Sequence, residues 1–181
     1  MNKAFMIKHK NILITLALLV LIMGCSLFKP NEEKGLGSVE HAVISAVLDS
    51  IIHQYPRETI DVYDQTTTAI NSASLFIAFE RDSINSDSLL ANYSDANQIH
   101  YALNIDKLPS YVMLKDTDES ELFTGYTAFT RPGISDNGLM AVAEYSSVSA
   151  PLAGCGMAAV LEKHGETWRV IWIKTIQLPH K

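Results

Sequence analysis

Residues 124–178 contain three apolar runs that decide the fold, and they read Leu139-Met-Ala-Val-Ala-Glu-Tyr145, Met157-Ala-Ala-Val-Leu161 and Trp168-Arg-Val-Ile-Trp-Ile173. Each run is bounded by turn residues, as β-strands usually are. The pair Asn137-Gly138 tolerates the positive φ of a type I′ turn, and Gly165 stands between the second and third runs. The stretch therefore predicts an antiparallel meander that supplies most of the core.

The third run nearly alternates between the two faces of a strand. Trp168, Val170, Trp172 and Ile176 share one face of an ideal strand, because successive side chains point to opposite sides. Each tryptophan can bury on the order of 200 Å². We expect both tryptophans to enter the same core.

The segments upstream carry separate helix and strand signals. From Ser38 onwards, apolar residues at helical spacing form a stripe that ends before Tyr55-Pro56. Residues 58–68 and 111–114 indicate strands and residues 88–96 a second helix, whereas the run 75–79 is too short to distinguish helix from strand. The sequence predicts an α+β domain in which an N-terminal amphipathic helix packs on an antiparallel meander sheet.

The first 24 residues have the features of a targeting segment. Lys3, Lys8 and Lys10 precede an apolar run that is short for a membrane span. The segment Leu21-Ile-Met-Gly-Cys25 resembles the lipobox of bacterial lipoproteins, in which the cysteine is acylated and becomes the first residue of the mature chain. An ordinary signal peptide cut elsewhere, or an uncleaved signal anchor, is the alternative.

The lipobox resemblance implies a domain plan and a location. It implies a signal peptide at residues 1–24, a lipidated Cys25, a tether at 25–37 and a single α+β domain at 38–181. Acyl chains would anchor the protein to a membrane of the cell envelope without spanning it. By resemblance to lipoprotein sorting in Gram-negative bacteria, Ser26 after the lipidated cysteine favours the outer membrane.

Removal of the signal peptide makes the chain more acidic. Its three lysines leave with it, so that 14 basic residues fall to 11 against 20 acidic ones, and the net charge moves from −6 to −9. This balance disfavours nucleic acid and anionic lipid headgroups as partners, because both need a basic surface.

A second resemblance lies in the C-terminal third of the chain. The segments Thr130-Arg-Pro-Gly-Ile-Ser135, Ser149-Ala-Pro-Leu-Ala-Gly-Cys-Gly156 and Val160-Leu-Glu-Lys163, followed by Trp168, resemble the C-terminal part of a group of small uncharacterised bacterial lipoproteins. Thr130 and Ile134 stand where that group has serine and phenylalanine. The resemblance covers less than a third of the chain, and it implies no activity and no functional residues.

Cys155 is a candidate nucleophile. It lies between two glycines, and His164 or His100 could serve as its base. The chain has only two cysteines, Cys25 and Cys155. If Cys25 is acylated, an intrachain disulfide is therefore excluded. A lone cysteine among small residues is more often a small buried residue, which is the competing interpretation.

Arg131 is a candidate binding residue, because it is a single cation just before a Pro-Gly turn at a strand end. One interpretation is structural, with the guanidinium paired to an acid such as Glu144 or Glu162. The other is contact with a ligand. Loss of stability in an Arg131→Ala variant would favour the structural interpretation.

No motif indicates a metal or a cofactor. The run Asp116-Thr-Asp-Glu-Ser-Glu121 lacks the residue order and the glycine of an EF-hand loop, and we expect a solvated loop there. The sequence therefore favours a lipid-anchored lipoprotein of the cell envelope that binds a protein, glycan or small ligand without catalysis. The alternative is an envelope hydrolase or transferase that uses Cys155 with a histidine.

Overall fold

The computed structural model describes residues 35–68, 72–84, 87–116, 125–150 and 153–177. These residues belong to one compact unit, 34–181. The predicted signal peptide and Cys25 lie outside them. In chain order the elements are α1 (Ser38–Gln54), β1 (Ile60–Tyr63), α2 (Ser72–Arg81), α3 (Asp87–Ala96), a 3-10 helix (Ile105–Lys107), β2 (Val112–Lys115), β3 (Tyr126–Phe129), β4 (Gly133–Ile134), β5 (Met140–Ala150), β6 (Ala153–His164) and β7 (Thr167–Gln177).

The strands form one seven-stranded sheet in the order β2-β1-β3-β5-β6-β7, and β4 also pairs with β5. Strands β5, β6 and β7 form the predicted antiparallel meander. Strand β1 differs, since it is parallel to both β2 and β3. Two helices separate β1 from β2 in the chain, and such a crossover returns a strand in the same direction. Three helices and a mostly antiparallel sheet among the described residues confirm the α+β class.

Both faces of the meander are buried. Ala141, Ala143 and Tyr145 of β5 lie in a core with Val43, Ile44, Val47 and Leu48 of α1. Val142, between them, lies in a second core with Leu75 and Phe79 of α2 and Leu89 and Tyr93 of α3. Burial on two faces explains why these strands appear in the sequence as continuous apolar runs rather than as alternating patterns.

The two tryptophans of β7 enter different cores, so the prediction that they share a face was wrong. Trp168 packs against the α1 core and Trp172 against the α2/α3 core. The register explains this arrangement, because Val160 pairs with Trp172 while Leu161 pairs with Val170, which leaves Ile171 as an extra residue. Such a β-bulge shifts the alternation of side chains by one position.

The two predicted hairpin turns are present, but neither is a type I′ turn. At the first, Gly138 has φ +68° whereas Asn137 has no positive φ, and the Gly138 amide donates to the Ser135 carbonyl at 2.8 Å. This pattern is a turn closed by a left-handed glycine. At the second, His164 pairs with Thr167, and Gly165 has φ +62° at the first central position, as in type II′.

The apolar run 75–79 is helical rather than extended. Leu75 and Phe79, one helical turn apart on α2, are fully buried, whereas Phe76 and Ile77 are exposed. The Phe79 ring meets Trp172 edge to face at 5.4 Å. Packing of Leu75 and Phe79 against the sheet therefore favours the helix, which the short apolar run alone could not distinguish from a strand.

The domain begins before Ser38. Gly35 forms a bridge with Ala102, and Leu36 is 5% exposed and belongs to the α1 core. Gly37 is the N-cap of α1 and Ser38 its first residue, so Ser38 does not cap the helix. Part of the predicted tether is therefore integrated into the fold. No helix among the described residues is long and apolar enough to cross a membrane.

Candidate functional site

Arg131 lies between β3 and β4. It belongs to a segment, residues 130–134, that α3 holds in place. Asn97 follows α3 and is 3% exposed. Its side chain forms hydrogen bonds with both the amide and the carbonyl of Arg131. Its oxygen accepts the Arg131 amide at 2.8 Å, and its nitrogen donates to the Arg131 carbonyl at 2.8 Å. The backbone of residue 131 is thereby fixed relative to the helix.

The buried hydroxyl of Thr130 also holds this segment in place. The Thr130 hydroxyl accepts bonds from the Tyr93 hydroxyl and the Glu144 amide, both at 3.0 Å. It donates to the Glu144 carbonyl at 3.1 Å. One donated and two accepted bonds use the full capacity of a hydroxyl group. Burial, followed by the charge of Glu144, raises the pKa of Tyr93, so this phenol stays protonated and can donate.

Close contact between α3 and the segment requires a glycine. A Cβ at Gly133 would lie 2.5 Å from both the Cα and the Cβ of Tyr93. The residue before Tyr93 also contributes, since the Asn92 amide nitrogen donates to the Ile134 carbonyl at 2.8 Å and to an Asp136 carboxylate oxygen at 2.9 Å. The helix thus contacts the segment through backbone and side chains along several residues.

The Arg131 guanidinium pairs with Glu40, and not with Glu144 or Glu162 as expected. Its Nη2 lies 2.9 Å from Glu40 Oε1, and its Nη1 donates to the Tyr101 hydroxyl at 2.7 Å. Glu144 is buried beside Tyr93, and Glu162 is near His164. The observed partner is in the first turn of α1, 91 residues from Arg131 in the chain.

The guanidinium is held but retains hydrogen-bonding capacity. It lies 4.3 Å from the centre of the Tyr101 ring, in cation–π contact. Two of its N–H groups make the bonds to Glu40 and Tyr101, and Nε is buried without a hydrogen-bond partner among the described residues. The second Glu40 oxygen lies 2.5 Å from the position of a Cβ at Gly37, so glycine there leaves room for the carboxylate.

An open cleft of about 370 Å³ lies beside this ion pair. Asn92, Asp95 and Ala96 of α3 form one wall, since residues three and four apart share a helix face. The other residues lining it are Glu40, Arg131, Pro132 and Ile134. We call it the Arg131 cleft. It presents one guanidinium, two carboxylates and the side-chain amide of Asn92.

Cys155 and His164 are far apart. Both are on β6, nine residues from each other, which corresponds to roughly 30 Å at about 3.3 Å per residue. His164 is exposed, and its Nε2 lies 3.1 Å from a Glu162 carboxylate oxygen. The other candidate base, His100, is exposed, and its Nδ1 lies 2.6 Å from the Thr66 carbonyl. The structure does not bring Cys155 and His164 together.

Cys155 lies near Tyr145. The thiol is half-buried and lies opposite Ser147 on β5. Burial, with the nearby Cys155 and Tyr55 as smaller causes, raises the pKa of Tyr145 to about 12.

Within the described ranges no three His, Cys, Asp or Glu side chains are placed to hold a metal ion. Most of the acidic run 116–121 lies outside these ranges.

Sequence reasoning identified Arg131 but missed the residues that surround it. Asn97 and Asp95 carried no distinctive signal, because each is a single polar residue near a helix end. Glu40 is an acid in the first turn of α1, where the helix dipole favours acids, so its position did not indicate a distant partner. Comparison of the chain with protein families, with curated proteins and with solved structures found no match.

Proposed function

We propose that this chain is a lipid-anchored lipoprotein of the bacterial cell envelope, and that it is a non-catalytic binding module in which the Arg131 cleft holds the ligand. The observation that carries the binding role is the construction of the cleft. Charged groups of both signs line it, and Asn97 and Thr130 fix the backbone from which Arg131 projects. A preorganised set of polar groups lowers the entropic cost of binding.

The anchoring role rests on the sequence. The resemblance of residues 21–25 to a lipobox and the basic start of the chain support acylation of Cys25. The C-terminal resemblance to a group of bacterial lipoproteins points to the same class of protein, and Ser26 favours the outer membrane. The proposed architecture is an N-terminal helix packed on an antiparallel meander, tethered to the bilayer through Cys25.

The competing enzymatic role has less support. A cysteine nucleophile needs a base within hydrogen-bond reach. His164 lies roughly 30 Å from Cys155 along the strand, by the rise per residue, and it contacts Glu162 instead. The hydrolase or transferase alternative would therefore require His100 or another base beside Cys155, and no observation among the described residues places one there.

Fractionation of bacteria that express the full-length chain tests the anchoring role. The expected result is a membrane-bound protein whose Cys25 carries acyl chains by mass spectrometry, and a Cys25→Ser variant without them. The matched control is Cys155→Ser, which should remain acylated and membrane-bound. An unmodified Cys25 in the wild-type chain would contradict the proposal.

A thermal-shift screen of the full-length chain tests the binding role. The screen uses amino acids, peptides, envelope glycans and phosphorylated headgroups, since a ligand that binds the native state raises the melting temperature. A shift that Asp95→Asn abolishes supports binding in the Arg131 cleft. The matched control is Glu58→Gln, an exposed acid beyond the far end of α1. A screen with no shift, or with equal shifts in both variants, would contradict the site.

A further inference from the structure

We infer that the ligand of the Arg131 cleft is a small zwitterion, with a protonated primary amine and an anionic group a few bonds apart. This inference rests on the proposed binding function and adds the chemical class of the ligand. The cleft contains a guanidinium, from Arg131, together with carboxylates from Glu40 and Asp95. Opposite charges are therefore present within one cleft of about 370 Å³.

The charges select against ligands that carry a single charge. A simple cation in the cleft would be near the Arg131 guanidinium, and a simple anion would be near Glu40 and Asp95. Like charges at short range disfavour a complex, and this repulsion contributes to specificity. A ligand with both charges can place each one beside its opposite.

The hydrogen-bonding groups support the same class of ligand. The guanidinium uses two of its five N–H groups on Glu40 and Tyr101. The Arg131 side chain is 28% exposed, and its remaining Nη hydrogens can donate further bonds to a carboxylate or phosphate. Asp95 is exposed and has no hydrogen bond or ion pair within the described part of the chain, so its carboxylate can accept from an ammonium group.

Asn92 adds an acceptor on the same wall. Its amide nitrogen donates to Ile134 and Asp136, which fixes the orientation of the side chain. The amide oxygen takes no part in those two bonds, and it can accept a bond from a ligand. Asn92 and Asp95 are one helical turn apart, so both can accept from one ammonium group.

Two sources supply this chemistry: an α-amino acid, free or at a chain end, and the aminoethyl phosphate headgroup of a lipid. Calorimetry on the full-length chain in non-ionic detergent separates them. The probes are alanine and phosphoethanolamine, with the halves propionate, ethylamine and ethyl phosphate, each of which carries charge of one sign only. Short-chain phosphatidylethanolamine is then compared with phosphatidylcholine, whose quaternary ammonium has no N–H to donate.

At least one zwitterion should bind about tenfold or more tightly than either of its halves, since each lost charged contact costs about a factor of ten. Asp95→Asn should weaken that binding about tenfold, and Glu58→Gln should leave it unchanged. A preference for alanine indicates an amino acid. A preference for phosphoethanolamine, together with binding of phosphatidylethanolamine but not phosphatidylcholine, indicates the lipid headgroup.

Equal affinity for a zwitterion and one of its halves, or no binding of any zwitterion, would overturn the inference. The proposed function survives that result if another ligand in the thermal-shift screen requires Asp95. It fails together with the inference if no compound in the screen shifts the melting temperature, or if every shift is equal in Asp95→Asn and Glu58→Gln. The two experiments therefore distinguish a wrong ligand class from a wrong site.

Discussion

Asn97 holds the backbone of Arg131 from both sides, with its side-chain amide accepting the Arg131 N–H and donating to the Arg131 carbonyl, each at 2.8 Å. The same amide nitrogen also donates to the Tyr93 carbonyl at 2.8 Å. One buried side chain therefore connects α3 to the segment that carries the candidate binding residue. The geometry of the Arg131 cleft depends on this connection.

Replacement of Asn97 by alanine should destabilise the protein by about 2–4 kcal/mol, because it leaves buried backbone groups without partners. Urea unfolding followed by tryptophan fluorescence measures the change. The control is Gln98→Ala, an exposed neighbour whose single bond to the Ser94 carbonyl should contribute less than about 0.5 kcal/mol. Equal effects of the two substitutions would show that Asn97 does not hold the segment.

The Arg131–Glu40 ion pair should show measurable coupling in a double-mutant cycle. The two side chains are 28% and 14% exposed, and a partly buried pair with good geometry should give a coupling of about 1–2 kcal/mol. The cycle uses Arg131→Gln and Glu40→Gln. The control cycle is Lys115 with Asp61, a pair 3.8 Å apart and 36% and 39% exposed.

The control pair should give a coupling near zero, because exposed ion pairs are screened by water and salt. A coupling near zero for Arg131–Glu40 as well, with no loss of stability in the single Arg131 variant, would argue that the guanidinium has no structural role. A loss of stability in the single Arg131 variant without coupling to Glu40 would instead assign that role to the contact with Tyr101.

Gly133→Ala should destabilise the protein by about 1–3 kcal/mol, since the added methyl group would overlap Tyr93 and force α3 away from the sheet. Gly35→Ala is the control, because a Cβ there meets no atom within 4 Å. The two variants should differ clearly in urea midpoint. A Gly133→Ala variant as stable as Gly35→Ala would mean that α3 does not approach the segment closely.

Stability should fall between pH 10 and 12. Burial raises the pKa of Tyr145 to about 12, whereas an unfolded tyrosine titrates near pH 10. The neutral phenol therefore stabilises the fold fully below about pH 10, and this contribution is lost as the pH rises through 12. Urea unfolding at several alkaline pH values should show the loss, and Tyr145→Phe should make the decline less steep. An unchanged slope in the variant would contradict the prediction.

The fold was predictable from sequence where the signal is local. The three apolar runs and the glycine at position 165 predicted the β5–β7 meander, and the helical period after Ser38 predicted α1. The face of Trp172 was not predictable, because the extra residue at Ile171 is visible only in the pairing with β6. The direction of β1 depends on a crossover through two helices, and no local pattern records it.

The candidate site was predictable only in part. Arg131 stood out as a single cation at a strand end, but its partner Glu40 is 91 residues away, and an ion pair at that separation leaves no local pattern. The thiol hypothesis shows a different limit. Spacing in the sequence could not show whether His164 or His100 lies near Cys155, and an extended strand separates Cys155 from His164.

The most direct test of the account is the NMR signal of the Arg131 Nε–H group in the full-length protein, identified by its absence in Arg131→Lys. This group is buried without a partner within the described residues, and it belongs to a side chain that lines the Arg131 cleft. Alanine or phosphoethanolamine should shift the signal to saturation, and ethylamine should leave it unchanged. A signal unmoved by any ligand that raises the melting temperature would contradict binding at Arg131.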